Sequence, residues 1–391
     1  MNYRLLTVLF IFLGLAGVIY SACPDAICDY GEECSLDCSS ETYCDDGMDN
    51  DEDGNTDCDD DDCSSDPVCR PSLADMDEDG YYDITSCAEL QSISLYLNNN
   101  YELENDVDCT GVDFIPIIGP SEEPFTGIFE GNGFSIINLS IDGAPGGSYY
   151  ALFGYTQNAI IANVALVNVL INAPDSYEVG SLVGYSETTN MSNSHSTGNV
   201  YGGYPTGGLV GDAYEMIISN CYFSGLVNST NTYAGGLVGF IQAGGELSGS
   251  YSTGTVNSSG DNVGGLVGSA AGTISTSYST ANVIGNDFVG GLIGEFIDAT
   301  LSNSYATGTV FGAIGADSIG GLMGYSSGSV VNSYSTGNVS GSTYVGGLVG
   351  QNEGGSVTNS FSTGNVTSSG LLGGLVGVNI NSGTISDSFW Y

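Results

Sequence analysis

A Gly-Leu-x-Gly core recurs through most of this chain, and its spacing limits the fold more than any other feature. Its leucines are Leu182, Leu209, Leu237, Leu266, Leu292, Leu322, Leu348 and Leu375, with a degenerate earlier copy at Ala151-Leu152-Phe153-Gly154. Successive copies are 26 to 30 residues apart. A second motif, N-S-Y-S-T-G-x-V, alternates with the first. Its aromatic position holds His195, Tyr222, Tyr251, Tyr278, Tyr305, Tyr334, Phe361 and Phe389. Four residues before each lies an apolar side chain, from Met191 and Ile218 to Ile385. Five residues after each of the first seven lies a valine, from Val200 to Val366.

Short β-rich runs broken by glycine at this period have the wrong propensities for helical repeats. They suit an all-β fold, a right-handed parallel β-helix (β-solenoid) of about ten coils of ~28 residues, with coils ~4.8 Å apart. The rod would be on the order of 50 Å long. Stacking puts like residues in columns, so the leucine and valine columns fill the core. Asn193, Asn220, Asn303, Asn332 and Asn359 would stack as an amide ladder, satisfying polar groups at a buried turn. The glycine column from Gly184 to Gly377 would permit a bend that a Cβ blocks.

The V-G-G-L-V-G copies, such as Val263-Gly264-Gly265-Leu266-Val267-Gly268, resemble GLUG-motif repeats. The resemblance implies a right-handed parallel β-helix of secreted and surface proteins, often adhesin-like. The same repeat also occurs as an accessory region in IgA-specific metallopeptidases. It covers roughly residues 84–391. Tyr101-Glu-Leu-Glu-Asn-Asp-Val-Asp108 and Phe125-Thr-Gly-Ile-Phe-Glu-Gly-Asn-Gly133 are similar to the family's N-terminal coils. It departs from the pattern at Phe389-Trp390-Tyr391, which falls mid-coil. Ahead of the coils, Ser86-x-x-Glu89 is a capping box, and Leu90, Ile93 and Leu97 share one helical face. A short capping helix over the first coil is expected, with Cys87 and Cys109, which flank it, paired.

Charge divides the chain. Its 46 acidic residues face two basic ones, Arg4 and Arg70, for a net charge of −44. Nucleic-acid binding needs a positive stripe, which is impossible here, and an anionic membrane surface would repel the chain. Twenty-eight of the acids lie between Asp25 and Asp108, and ten of the eleven cysteines between Cys23 and Cys109. The expected organisation is a signal peptide at 1–22, a Cys/Asp-rich module at 23–70, a second loop and linker at 71–86, and the repeat solenoid at 87–391, with capping helix and first coils at 87–150. The apolar run Leu5 to Tyr20 is short for a span, which favours a cleaved signal over an anchor helix. No second hydrophobic span follows, so an extracellular or cell-surface location is expected.

Cys23, Cys28, Cys34, Cys38, Cys44, Cys58, Cys63 and Cys69 lie in a segment with almost no large apolar residues. It must be crosslinked or hold metal. Without C-x-x-C pairs or histidine the spacing is wrong for zinc, so disulfides are expected; eight cysteines leave about 105 connectivities open. Two stretches read D-x-D-x-D-G-x-x-D. The first supplies Asp49, Asp51, Asp53, Asn55, Asp57 and Asp60; the second supplies Asp75, Asp77, Asp79, Tyr81 and Asp83. Alternating carboxylates with glycine at the sixth position fold around calcium, the seventh residue giving its carbonyl. The first loop has Asp60 at position twelve; the second has the weaker Ser86. Both resemble the calcium loops of dockerin and thrombospondin type 3 repeats. A solvated acidic run would not repeat glycine at the same offset.

Catalytic signals are thin. Asp212, Glu246, Asp261, Asp287, Glu295 and Asp317 are read as not recurring at one column, whereas a glycosidase needs two carboxylates on neighbouring coils. Asp287 and Asp317 both lie shortly before a G-G-L core, but one pair is thin evidence for a site. The solenoid has no lysine or arginine to act as a lyase base, and no nucleophile elbow or H-E-x-x-H occurs. His195 occupies the ring column, Cys221 a serine column, and Trp390 the last aromatic cluster. The resulting expectation is a non-catalytic, calcium-stabilised, adhesin-like binding or spacer protein, with glycans or surface proteins as partners. Two alternatives stand beside it: a carbohydrate-active β-helix enzyme, and a purely structural envelope component. Six N-x-S/T sequons occur, at Asn138, Asn190, Asn228, Asn257, Asn338 and Asn365.

Overall fold

A computed structural model describes Leu73 and residues 79–391, which fall in one compact unit, Ser72–Tyr391. Strand pairs here are parallel, and the chain forms a β-solenoid of about ten turns. Each full coil visits four sheets in turn. In one coil these are Val263–Gly264, Val267–Ala270, Thr273–Ser275, and then Tyr278–Ser279 with Asn282–Gly285. The four sheets hold nine, nine, twelve and sixteen described strands. Like residues stack on like: Val263 on Val289, Val267 on Ile293, Ile274 on Leu301, Tyr278 on Tyr305 and Val283 on Val310.

The core is the set of columns that the periodicity marks. Leu182, Leu209, Leu237, Leu266, Leu292, Leu322 and Leu348 have no solvent exposure, and the valines from Val200 to Val339 are buried beside them. The V-G-G-L-V-G corner owes its glycines to close backbone approach. A Cβ on Gly264 would strike the Val267 carbonyl oxygen, one on Gly265 the Gly291 carbonyl of the next coil, and one on Gly268 would lie 2.5 Å from the Gly239 carbonyl. No side chain fits between backbones this close.

Two polar ladders finish the coil. The asparagine ladder forms, but on the exposed side of its turn. Asn193, Asn220, Asn303, Asn332 and Asn359 are solvent-exposed and left-handed, with φ of 50 to 54°. Asn220, Asn332 and Asn359 each donate an amide bond to the asparagine of the preceding coil, at 3.4, 3.2 and 2.6 Å. Asparagine is chosen here because it tolerates the αL region. The buried groups are satisfied by the next residue instead. Ser250, Ser277, Ser304 and Ser333 donate to the carbonyl two residues back at 2.7–2.8 Å. Each also accepts the backbone N–H of its counterpart one coil earlier, at 3.1–3.3 Å. Ser250→Ala would orphan the buried Cys221 N–H, and a loss of about 1–3 kcal/mol is expected in denaturant melts. An exposed change at Thr273 should be nearly neutral.

At the N-terminal side, β1 (Tyr82–Ile84) is the terminal rung of the twelve-strand sheet and pairs with β2 (Tyr101–Leu103). The solenoid therefore starts inside the segment assigned to the second loop and linker. The helix α1 (Cys87–Ser92) follows, with Leu90 and Ile93 fully buried. Ser86 Oγ accepts the Glu89 N–H at 3.3 Å, and Glu89 Oε2 accepts the Ser86 N–H at 3.0 Å. Burial opposes ionisation of Glu89, yet hydrogen bonds from Thr85 and Ser86 hold its carboxyl below the ordinary value. A disulfide joins Cys87 to Cys109, with Cα atoms 5.3 Å apart.

Candidate functional site

The first acidic loop (Asp49 to Asp60), the cysteines from Cys23 to Cys69, and Asp75 and Asp77 lie outside the described residues. The second half of the second loop is described. Asp79 Oδ1 accepts the Tyr81 N–H at 2.9 Å, and Gly80 is left-handed at φ 97°. Only glycine takes that conformation without strain. The chain then enters β1, where Asp83 is 4% exposed. Asp83 stands in register with Glu102 of β2, which is 7% exposed. Carboxylate oxygens of Asp83, Glu102 and Glu104 lie within 4.8 Å of one another, close enough to share one hard cation. Ser86, the weak twelfth position, is engaged as the helix cap. Sequence reasoning missed Glu102 and Glu104 as partners of the loop. Their signal was the two-residue spacing of Glu102 and Glu104 in the segment similar to the family's first coils, since in extended chain such residues share a face.

A second set of carboxylates lies along one nine-strand sheet. The register there runs Tyr155, Tyr185, Asp212, Phe240, Ser269, Glu295, Tyr325. Asp212 and Glu295 thus share a column, three coils apart. Asp212 is 9% exposed, and Gln242 Nε2 donates to both its oxygens at 2.9 and 3.1 Å. Burial pushes its carboxyl up to about 6. Glu178 is half-buried nearby; desolvation, with the charge of Asp212, pushes it up to about 7. Tyr149, Tyr155 and Tyr185 pack together here, with ring centroids 5.2–6.2 Å apart.

The reading that the repeat acids share no column is corrected in a second place. Asp261, Asp287 and Asp317 each stand five residues before a core leucine and stack on three successive coils. Asp261 Oδ1 accepts the Asp287 N–H at 3.2 Å, and Asp287 Oδ1 accepts the Asp317 N–H at 2.7 Å. These carboxylates tie coil to coil through backbone amides. The sequence pairs Asp287 with Asp317; the equal offset of Asp261 is what extends that pair to a column.

The three single residues are structural. His195 stacks on Tyr222 at 4.4 Å and 10°, and burial lowers its pKa. Cys221 is buried in the serine column, and desolvation pushes its thiol up to about 12, which disfavours the thiolate. Trp390 pairs in register with Ser362, and its indole Nε1 donates to the Gly364 carbonyl at 3.4 Å.

Residues 175–201, 230–257 and 341–367 match the GLUG motif, so GLUG repeats are present. A stretch of 145 residues is 40% identical to Halomucin of Haloquadratum walsbyi, covering 33% of this chain and 2% of that protein. The chain therefore spans a small fraction of the curated relative it matches. A Bacteroides ovatus protein assigned as an immunoglobulin A1 protease has a similar fold, with TM-score 0.51 and 22% identity, covering 59% of this chain and 77% of that one. An IgA1 protease aligns with TM-score 0.49 and 20% identity over 75% of this chain and 22% of its own.

Proposed function

We propose that this chain is an extracellular or surface-associated, non-catalytic, adhesin-like binding and spacer protein, stiffened at its N-terminal side by calcium. The observation that carries the reading is the unbroken stack of coils, whose outer faces repeat Asn, Thr, Ser and Tyr at rung spacing. GLUG repeats and the likeness to Halomucin support it. No helix among the described residues is long and apolar enough to cross a membrane. Glycans or surface proteins are the partners such a face suits, and glycan-array and cell-binding assays test it; silence in both would leave only the spacer role.

The calcium reading is supported by the convergence of Asp83, Glu102 and Glu104 at the end of the second loop. Calorimetry should give weak, extracellular-type affinity of roughly 10⁻⁴–10⁻³ M. Glu102→Gln with Glu104→Gln should weaken that binding about tenfold, and chelator should expose the N-terminal segment to protease. Equal protease resistance with and without calcium would sink the reading.

The raised carboxylates Glu178 and Asp212 favour one alternative, a carbohydrate-active enzyme. Release of reducing ends from a polysaccharide, lost in Glu178→Gln and Asp212→Asn, is the result that would replace the adhesin reading with it.

A further inference from the structure

Beyond its first rungs, which carry Asp108 and Asp142, one face of the solenoid is free of acids. From Ala165 to Ser368, no strand of the sixteen-strand sheet contains Asp or Glu, although the chain carries a net charge of −44. Residues 79–391 also contain no lysine or arginine. The face is therefore uncharged over eight successive coils, while acids such as Glu178, Asp212, Glu246 and Asp287 occupy other sides.

What the face does carry is two outward columns. The first is the ring ladder from His195 to Phe389, whose centroids are 4.4–5.8 Å apart and whose planes differ by 2–10°. The second lies two residues further on, so about 6.7 Å away on the same face. It holds Thr280, Thr307, Thr336 and Thr363, all exposed. Each ring presses its flat faces on its neighbours, so a sugar cannot stack on them one ring at a time. Ring edges, phenol hydroxyls and threonine hydroxyls are what remain for a partner. Burial and neighbouring phenols raise the pKa of Tyr278, and burial with Tyr305 raises that of Tyr334, so these phenols remain hydrogen-bond donors.

We infer that this Tyr/Thr double column is a docking face for an uncharged linear polysaccharide lying along the solenoid axis. The occupant follows from three properties of the face. It has no charge to pair with an anionic or cationic polymer. Its hydroxyls are donors and acceptors, like those of a glycan. It repeats every rung, about 4.8 Å, so it suits an extended chain with a short repeat rather than a compact ligand. Each contact is weak, and affinity comes from many in series. This inference rests on the binding reading above and names its ligand class and its face.

The test uses the full chain produced without N-glycosylation, because the sequons at Asn228 and Asn257 lie on this sheet and those at Asn338 and Asn365 lie beside it. Affinity electrophoresis through hydroxyethyl cellulose and galactomannan, with alginate as the anionic control, reads binding. Retardation is expected in at least one neutral gel and not in alginate. Thr280→Asp with Thr336→Asp, two exposed changes two rungs apart, should weaken binding at least tenfold. Thr273→Asp, exposed on the twelve-strand sheet, should leave it unchanged, and both variants should melt like the parent. Retardation that survives the double change places the glycan elsewhere, and overturns this inference but not the binding reading. No retardation, together with silence on arrays and cells, overturns both. A parent that self-associates, becomes monomeric in the double variant and is not retarded shows that the face takes a second copy, which also overturns the inference.

Discussion

Gly265→Ala is expected to destabilise the solenoid by about 3 kcal/mol or more, and to break its unfolding into two transitions. The added Cβ would collide with the Gly291 carbonyl oxygen of the next coil and the hydroxyl of Ser279. A backbone carbonyl cannot swing aside as a side-chain tip can, so the rungs must separate locally. Separation removes the cooperative link on which a quasi-one-dimensional fold depends. Coils before and after the corner should then melt at different denaturant concentrations, and hydrogen exchange should show protection falling first beside residue 265. Gly315→Ala is the control. Gly315 is left-handed at φ 91° but has nothing within 4 Å of an added Cβ, so a loss of only about 1 kcal/mol is expected. Equal effects at the two positions would mean that backbone strain, not coil-to-coil contact, selects the glycines.

The second large effect is on pH dependence. Desolvation raises Glu178 to about 7 and Asp212 to about 6 in the folded chain, against roughly 4 for both when unfolded. Between these values the folded state binds more protons than the unfolded state. Stability is therefore full at about pH 4 and falls as pH rises through 6 to 7. At ~1.4 kcal/mol per unit, Asp212 contributes at most about 3 kcal/mol to that fall. Glu178 contributes less, because solvent screens its more exposed carboxyl. Midpoints in urea should thus be higher at pH 5 than at pH 8. Asp212→Asn, which keeps an acceptor for Gln242, should flatten the profile and stabilise the protein at pH 8. A profile that rises with pH, or one unchanged in Asp212→Asn, would contradict this account.

Much of the fold was legible because stacking converts sequence period into spatial columns. The leucine, valine and ring columns needed only counting, and the capping box at Ser86 and Glu89 could be read directly. Burial was harder to read. The asparagine ladder was expected to serve a buried turn, but asparagine was selected for its left-handed backbone, and the adjacent serine does the buried work. The candidate sites were less visible still. Asp83 meets Glu102 only through the pairing of β1 with β2, across an intervening helix. Glu178 and Asp212 acquire their raised pKa from burial in the packed coils, and Glu178 also from the charge of Asp212. Such properties belong to the packed array and to no single segment. The stacked Asp287 and Asp317, by contrast, were readable from their place before the G-G-L core; what was missed was that Asp261 stands at the same offset and makes the pair a column.

Because like rests on like at every rung, this molecule has a natural unit of length. A chain of this kind can grow or shrink only by whole coils. Any other insertion has to leave the columns and emerge at a corner, as the 26- to 30-residue variation in coil length already does. Reach is therefore counted in coils, and lengthening the rod extends its faces by the same step without altering their chemistry.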